Sequence, residues 1–248
     1  MAQHVFTAIG SACDPRSLVP VPCVRLAAPC RLCACPGESG ARDRPEPGAG
    51  MRESVRVAFG LKARTGRAVL VALAGGIDAP ELVERSQIRL LPDGAWAPYH
   101  AAEGLDPPEA RESVRRSIAS AHRLAKNGIR EAARRFSKGG RELCGCAVLV
   151  GSGMPNWSTD EILAAHVRMH KAEGELFRDV LVAGARACDL ELTTLPDKTA
   201  LDDAAEMLGL TRARLDARLA TLGRSAGPPW GKDQKEAAGA ALVALARR

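Results

Sequence analysis

Three residues with the chemistry of metal ligands lie at helical spacing in the second half of the chain. His166, His170 and Glu173 form the pattern H-x3-H-x2-E, which places two imidazoles and a carboxylate on successive turns of one helix face. These ligand types suit zinc, manganese or iron. Because the residue after His166 is not the glutamate of the H-E-x-x-H motif, the pattern does not indicate that class of protease. It predicts a metal or catalytic site, a polar pocket for a partner, or a structural cluster.

The segment that carries these residues predicts one long helix over residues 158–187. The positions three or four residues apart along it form a single stripe: Ile162, His166, Met169, Glu173, Leu176, Val180 and Gly184. His166 and Glu173 therefore occupy positions where core residues are expected. In the structural interpretation, His166 binds a strand end and Glu173 pairs with a basic residue such as Lys62, because buried charges need partners.

Residues 55–91 predict three consecutive strands. Residues 55–61 alternate between apolar and polar or small side chains, which indicates a half-buried strand. Residues 68–74 are continuously apolar, as is typical of a central strand, and residues 82–91 predict a third strand. The three strands follow one another closely, so we expect a meander.

The second half of the chain predicts alternating helices and strands. A helix begins at Pro107 and ends near Phe136, and two short strands are expected on either side of the helix over 158–187. The two strands cover residues 144–150 and 190–195. The segments that follow cover residues 201–208, 211–222 and 233–247, and the last two are predicted helices. The order βββαβαβα predicts one α/β domain with a mixed five-stranded sheet flanked by helices.

This order resembles the ribonuclease H-like fold, and the second half of the chain resembles its RuvC-type resolvase branch. The run HKAEG at residues 170–174 lies where that branch has a Gly-Gln-Ala-Arg-Gly-type turn before the fifth strand. Asp233 and Glu236 open an Ala-rich closing helix, as two carboxylates do in the branch, and fall on one helix face. The resemblance implies a nucleic-acid partner or substrate, with Asp233, Glu236, Glu173 and His170 as candidate catalytic residues.

The first strand departs from the resolvase pattern. After Gly60 and Leu61, where the family carries an aspartate, this chain has Lys62, and residues 150–153 lack the acid expected after the fourth strand. Two-metal phosphodiester cleavage needs clustered carboxylates, so we expect a remodelled site that binds nucleic acid with or without cleaving it. Lys62 then either binds a phosphate directly or forms a salt bridge to Glu173, Glu175 or Asp233.

Two further segments are candidates for phosphate binding. The loop 227–233 contains two prolines, two glycines and Trp230, and it would aim Lys232 and a helix N-terminus at one point. Alternatively, Trp230 fills the core and the prolines start the helix. Arg116, Arg123 and Arg130 lie opposite the apolar stripe of the helix after Pro107, which is either a solvated face or a phosphate-contacting one.

Composition sets the class of protein and its expected partners. The net charge of +6 is compatible with a nucleic-acid partner, whereas 3% aromatic residues argue against a platform of stacked rings for single strands. Apolar runs stay well short of the roughly 20 residues of a spanning helix, and the N-terminus has no signal-peptide pattern, so we expect a cytoplasmic protein without membrane partners. Trp96, Tyr99 and His100 follow the third strand and form a candidate ligand loop.

The first 50 residues differ in composition from the rest. They hold five of the eight cysteines without any helix or strand period, which predicts a disordered or spurious leader before a domain over residues 51–248, with Met51 as an alternative start. A metal knuckle is the other interpretation, with Cys30, Cys33 and Cys35 as ligands and Cys23 or His4 as a fourth.

Three functions remain open from the sequence. The leading hypothesis is a nucleic-acid binding or processing domain of ribonuclease H-like type. The second is a metal-dependent hydrolase of a phosphorylated small molecule that uses His166, His170 and Glu173 with Asp233 or Glu236. The third is a non-catalytic assembly module. A divalent metal is the candidate cofactor, and the oligomeric state is open.

Overall fold

The structure is a computed structural model that describes residues 54–247. Five strands form one sheet in the order β3-β2-β1-β4-β5, with β1 antiparallel to β2, β2 antiparallel to β3, and β1, β4 and β5 parallel. The strands are β1 (Val55–Arg64), β2 (Arg67–Gly75), β3 (Pro80–Arg89), β4 (Arg141–Val150) and β5 (Leu192–Pro196). The predicted mixed five-stranded α/β architecture is confirmed.

Helices cover both faces of the sheet. They are α1 (Pro107–Lys138), α2 (Thr159–Leu163), α3 (His166–Arg186), α4 (Ala200–Met207), α5 (Arg212–Ala226) and α6 (Lys232–Ala246), with a short 3-10 turn at His100–Ala102. Helices α1 and α3 pack on one face through residues such as Ile129 and Phe177, while α4, α5 and α6 pack on the other. A smaller apolar cluster joins α1, α2 and α3 to the loop around Tyr99.

Strand β1 is buried on both faces, so the prediction of a half-buried strand was wrong. The residues that face α6 are Ala58 and Gly60, and they are small because α6 lies directly on the strand. A Cβ atom on Gly60 would lie 1.7 Å from the carbonyl oxygen of Ala237. The alternation in the sequence therefore separates large from small buried residues and does not mark a solvent-facing side.

The helix predicted over residues 158–187 is broken in two. Helix α2 has a capping box between Ser158 and Glu161, and Ala165 then adopts an extended conformation (φ −150°, ψ 121°) before α3 begins. The guanidinium of Arg168 donates to the carbonyl oxygen of Glu161 at 2.9 Å, which satisfies a group at the end of α2. The break moves His166 from the expected buried stripe to the surface.

Some predictions concern residues outside the described part of the chain. The predicted leader over residues 1–50, the alternative start at Met51 and the cysteine knuckle all lie outside residues 54–247. Within residues 54–247, no helix is both long enough and apolar enough to cross a membrane.

Candidate functional site

A buried lysine lies among carboxylates at the carboxyl edge of the parallel strands. Lys62 is near the end of β1, Asp197 directly follows β5, and Glu236 is in the first turns of α6. The Nζ atom of Lys62 donates to Asp197 and lies 2.5 Å from Oε2 of Glu236. Lys62 is only 4% exposed and Glu236 only 6%, so this is a buried ion pair with a second carboxylate attached.

Two arginines complete the charge network. Nε of Arg64 donates to Asp233 at 2.8 Å, and Nη2 of Arg178 donates to Asp197 at 2.8 Å. Burial alone raises the pKa of Asp197, but hydrogen bonds from Lys62 and Arg178 outweigh it, so the pKa of Asp197 lies below its ordinary value. The hydrogen bond from Arg64 likewise lowers the pKa of Asp233. These carboxylates are therefore neutralised by cations of the chain itself.

The partners of Lys62 correct the sequence-based prediction. Lys62 was expected to pair with Glu173, Glu175 or Asp233, yet its partners are Asp197 and Glu236. Asp197 was not singled out because it is an isolated acid 135 residues away in sequence. The one signal that could have found it is its place after the last parallel strand, an edge where functional groups commonly meet.

The lowered pKa of Asp233 leads to a test at acid pH. Above the ordinary value of 3.8 its ion pair with Arg64 contributes fully to stability, and the contribution is lost as the pH falls through the lower folded-state pKa. We expect Arg64→Met to be less stable than the wild type at pH 7 but to lose less further stability between about pH 4 and about pH 2. Urea unfolding at several pH values measures this. Arg224→Met changes an exposed arginine that donates to the hydroxyl of Thr221, and this variant should lose stability at acid pH as the wild type does.

An open cleft adjoins this network. It has a volume of about 370 Å³ and lies at the carboxyl ends of β4 and β5, where Val150 and Pro196 form part of its wall. Its charged and polar lining residues are Ser152, His170, Lys171, Glu175, Arg178, Asp197 and Lys198. Arg178 is matched by Glu175 and Asp197. Within residues 54–247, neither Lys171 nor Lys198 forms an ion pair, so the cleft offers two cations to an anionic ligand.

A second cluster consists of the imidazoles of His100, His166 and His170. His100, at the start of the 3-10 turn, and His166 and His170, one turn apart on α3, each offer a ring nitrogen within 4.8 Å of the other two. The Nε2 atoms of His166 and His170 are 3.0 Å apart. His170 thus belongs both to this cluster and to the wall of the cleft.

Comparisons with known proteins find similarity among solved structures. No family model matches the chain, and the search of curated proteins finds no match. Among solved structures, the chain is similar to Thermus thermophilus RuvC, with 10% identity, a TM-score of 0.43, and coverage of 75% of this chain and 91% of that one. It is also similar to T. thermophilus RuvC in complex with a Holliday junction substrate, with 10% identity, a TM-score of 0.41, and coverage of 76% and 91%.

Glu173 does not stand beside His166 and His170 as the predicted third ligand. Its carboxylate is buried and accepts hydrogen bonds from the backbone N–H groups of Tyr99 and His100 and from Nδ1 of His100. Among residues 54–247, the group of ligand atoms that lie within 4.8 Å of one another consists of the three imidazoles and does not include this carboxylate. His100 takes its place in the cluster, which the sequence had indicated only as part of a candidate ligand loop.

The other predicted residues are spread over the surface of the domain. Lys232 is exposed, with Nζ 3.7 Å from Glu236, and Trp230 donates its indole N–H to the carbonyl oxygen of Leu219 while packing on the core. These contacts agree with the interpretation in which Trp230 fills the core. Arg116 and Arg123 are exposed on α1 and Arg130 is half-buried, at a distance in sequence from the network around Lys62.

Proposed function

We propose that this chain is a nucleic-acid-binding domain, remodelled from a RuvC-type resolvase, that acts in the cytoplasm and holds backbone phosphates in the cleft beside Lys62. The observation that carries the proposal is the position of Lys62 between Asp197 and Glu236. A cation of the chain neutralises the acids at the carboxyl edge, and this leaves Lys171 and Lys198 to attract an anion into the cleft.

The same network argues for binding without two-metal cleavage at this edge. Two metal ions need several carboxylate oxygens that are open to coordination. Here Asp197 is engaged by Lys62 and Arg178, and Asp233 is engaged by Arg64. A metal ion would have to displace these cations, so the predicted catalytic roles of Asp233 and Glu236 are replaced in the proposal by roles in the ion-pair network.

The arginine-bearing face of α1 is a second place for phosphate contacts. Within the described part of the chain, Arg116 contacts Glu112 at 3.7 Å and Arg123 donates to the hydroxyl of Ser120 at 3.1 Å, and both side chains reach solvent. Contacts of this kind position a nucleic acid without reading its sequence. We therefore expect affinity that depends strongly on salt and weakly on sequence.

The test measures binding of a four-way DNA junction, a DNA duplex and an RNA hairpin by fluorescence anisotropy across a salt series. We expect the double variant Lys171→Gln/Lys198→Gln to reduce the slope of log affinity against log salt by about 1.8 for duplex regions, because each lost phosphate contact removes about 0.9. The matched control is Lys138→Gln/Arg186→Gln, which removes two exposed charges from helix ends at the opposite edge of the sheet.

Two outcomes would overturn the proposal. One is wild-type binding no tighter than that of a neutral control protein at low salt. The other is an equal loss of affinity in the cleft variant and in the matched control, which would reduce the interaction to net charge alone.

A further inference from the structure

The geometry points to a binding site for a divalent transition metal of the zinc type at His100, His166 and His170. The three rings come from two separate elements, and their centroids are 4.5 to 5.0 Å apart. Neutral imidazole nitrogen is a preferred ligand of zinc, and three histidines with an open fourth position form a known type of catalytic zinc site. The site is separate from the ion-pair network around Lys62 and does not depend on nucleic-acid binding.

The distance between two of the nitrogens is close to that around a coordinated ion. A tetrahedral zinc ion with Zn–N bonds of about 2.0–2.1 Å holds its nitrogen ligands about 3.3 Å apart. The Nε2 atoms of His166 and His170 are 3.0 Å apart, and the third nitrogen lies within 4.8 Å of both. His166 and His170 are exposed, so small side-chain rotations bring all three nitrogens to one ion without disturbing the core.

Glu173 supplies independent support because it orients His100 as a metal ligand. Nδ1 of His100 donates to the carboxylate of Glu173, at 2.8 Å from Oε1 and 2.9 Å from Oε2. Because the carboxylate accepts this bond, the neutral imidazole carries its proton on Nδ1 and its lone pair on Nε2. The side chain of Glu173 is 6% exposed and is fixed by the backbone N–H groups of Tyr99 and His100. Metal-ligating histidines are commonly held in this way by a carboxylate.

The site opens on the cleft through His170. Three neutral imidazoles leave the charge of a divalent ion uncompensated, so its fourth position attracts water or an anionic oxygen. Lys171 follows His170 and lines the cleft with Lys198. An anion that enters the cleft therefore meets two lysines and lies beside the metal position.

The test uses the full chain without a histidine tag, freed of metal with a chelator, and titrates it with Co²⁺ followed by displacement with Zn²⁺. We expect a visible d–d absorption typical of nitrogen ligation, without the thiolate charge-transfer band that the cysteines of the first 50 residues would give. His100→Ala and the double variant His166→Ala/His170→Ala should lose this signal. His122→Ala is the matched control, since His122 is an exposed histidine on α1 outside the cluster.

Glu173→Gln tests whether Glu173 orients the imidazole of His100 or only packs against it. Loss of the carboxylate should weaken Co²⁺ and Zn²⁺ affinity about 10- to 100-fold while the cobalt spectrum at saturation keeps its shape. The circular dichroism of the metal-free variants checks that they fold. The proposal is overturned if folded His166→Ala/His170→Ala binds cobalt with the same visible spectrum and affinity as His122→Ala, or if the wild type gives only the thiolate signature.

Discussion

Lys62→Met is expected to lower the free energy of unfolding by about 3–5 kcal/mol. The side chain is 4% exposed and is the nearest cation to Glu236, whose Oε2 has no aligned hydrogen bond within residues 54–247. Methionine preserves most of the side-chain volume, so the loss reports on charge. After the substitution, Asp197 keeps Arg178, whereas the remaining ion-pair partner of Glu236 within residues 54–247 is exposed Lys232 at 3.7 Å. A buried carboxylate is then left without adequate compensation.

Removing the carboxylates together with the lysine should restore most of this loss. The triple variant Lys62→Met/Asp197→Asn/Glu236→Gln leaves no charge at the three replaced positions, and Arg178 keeps Glu175 at 3.9 Å. Uncharged replacements of buried ion pairs are often nearly as stable as the original. Lys232→Met is the matched control on the same carboxylate and should change stability by less than about 0.5 kcal/mol, because the lysine is exposed. Urea unfolding at pH 7 measures all three. A cost below about 1 kcal/mol for Lys62→Met, or a triple variant no more stable than the single one, contradicts this account.

Gly60→Ala is expected to cost about 3 kcal/mol or more, because the added methyl group meets backbone. Its Cβ would lie 1.7 Å from the carbonyl oxygen of Ala237 and 2.7 Å from the backbone nitrogen of Ala241, and neither atom can rotate away. Helix α6 would have to move off β1. Since α6 carries Asp233 and Glu236, we also expect the ion pairs to Arg64 and Lys62 to loosen.

Gly76→Ala is the matched control for this substitution. Gly76 lies in the turn after β2 and nothing is within 4 Å of its added Cβ, so the same chemical change should leave stability nearly unaltered. Thermal and urea unfolding compare the two variants. If Gly60→Ala unfolds at the wild-type denaturant midpoint, the close seating of α6 on β1 is incorrect.

The fold could be predicted largely from local patterns. The apolar runs and the helical stripes identify the strands and helices in the correct order, and the two prolines at Pro107 and Pro108 mark where α1 begins. The break at Ala165 was missed because alanine is a strong helix former, and the contact that accompanies the break, from Arg168 to Glu161, becomes visible only in three dimensions.

The candidate sites were harder to predict because their partners are distant in sequence. Lys62 stood out from its position on β1, but Asp197 carries no local spacing that links it to the lysine. His166 and His170 follow from helical periodicity, whereas His100 comes from a loop 66 or more residues earlier. Helical periodicity correctly predicts a carboxylate at a buried position for Glu173. Its partners, however, are the imidazole of His100 and the adjoining backbone.

The lysine at the carboxyl edge has a consequence for how the domain responds to its surroundings. A metal ion at this place would exchange with the solution, and its occupancy would follow the concentration of free divalent cations and of chelators. Lys62 is a residue of β1 and cannot dissociate from the domain, so it is present in every folded molecule. The charge balance around Asp197 and Glu236 is therefore established when the chain folds, and we expect depletion of magnesium or manganese to leave it unchanged.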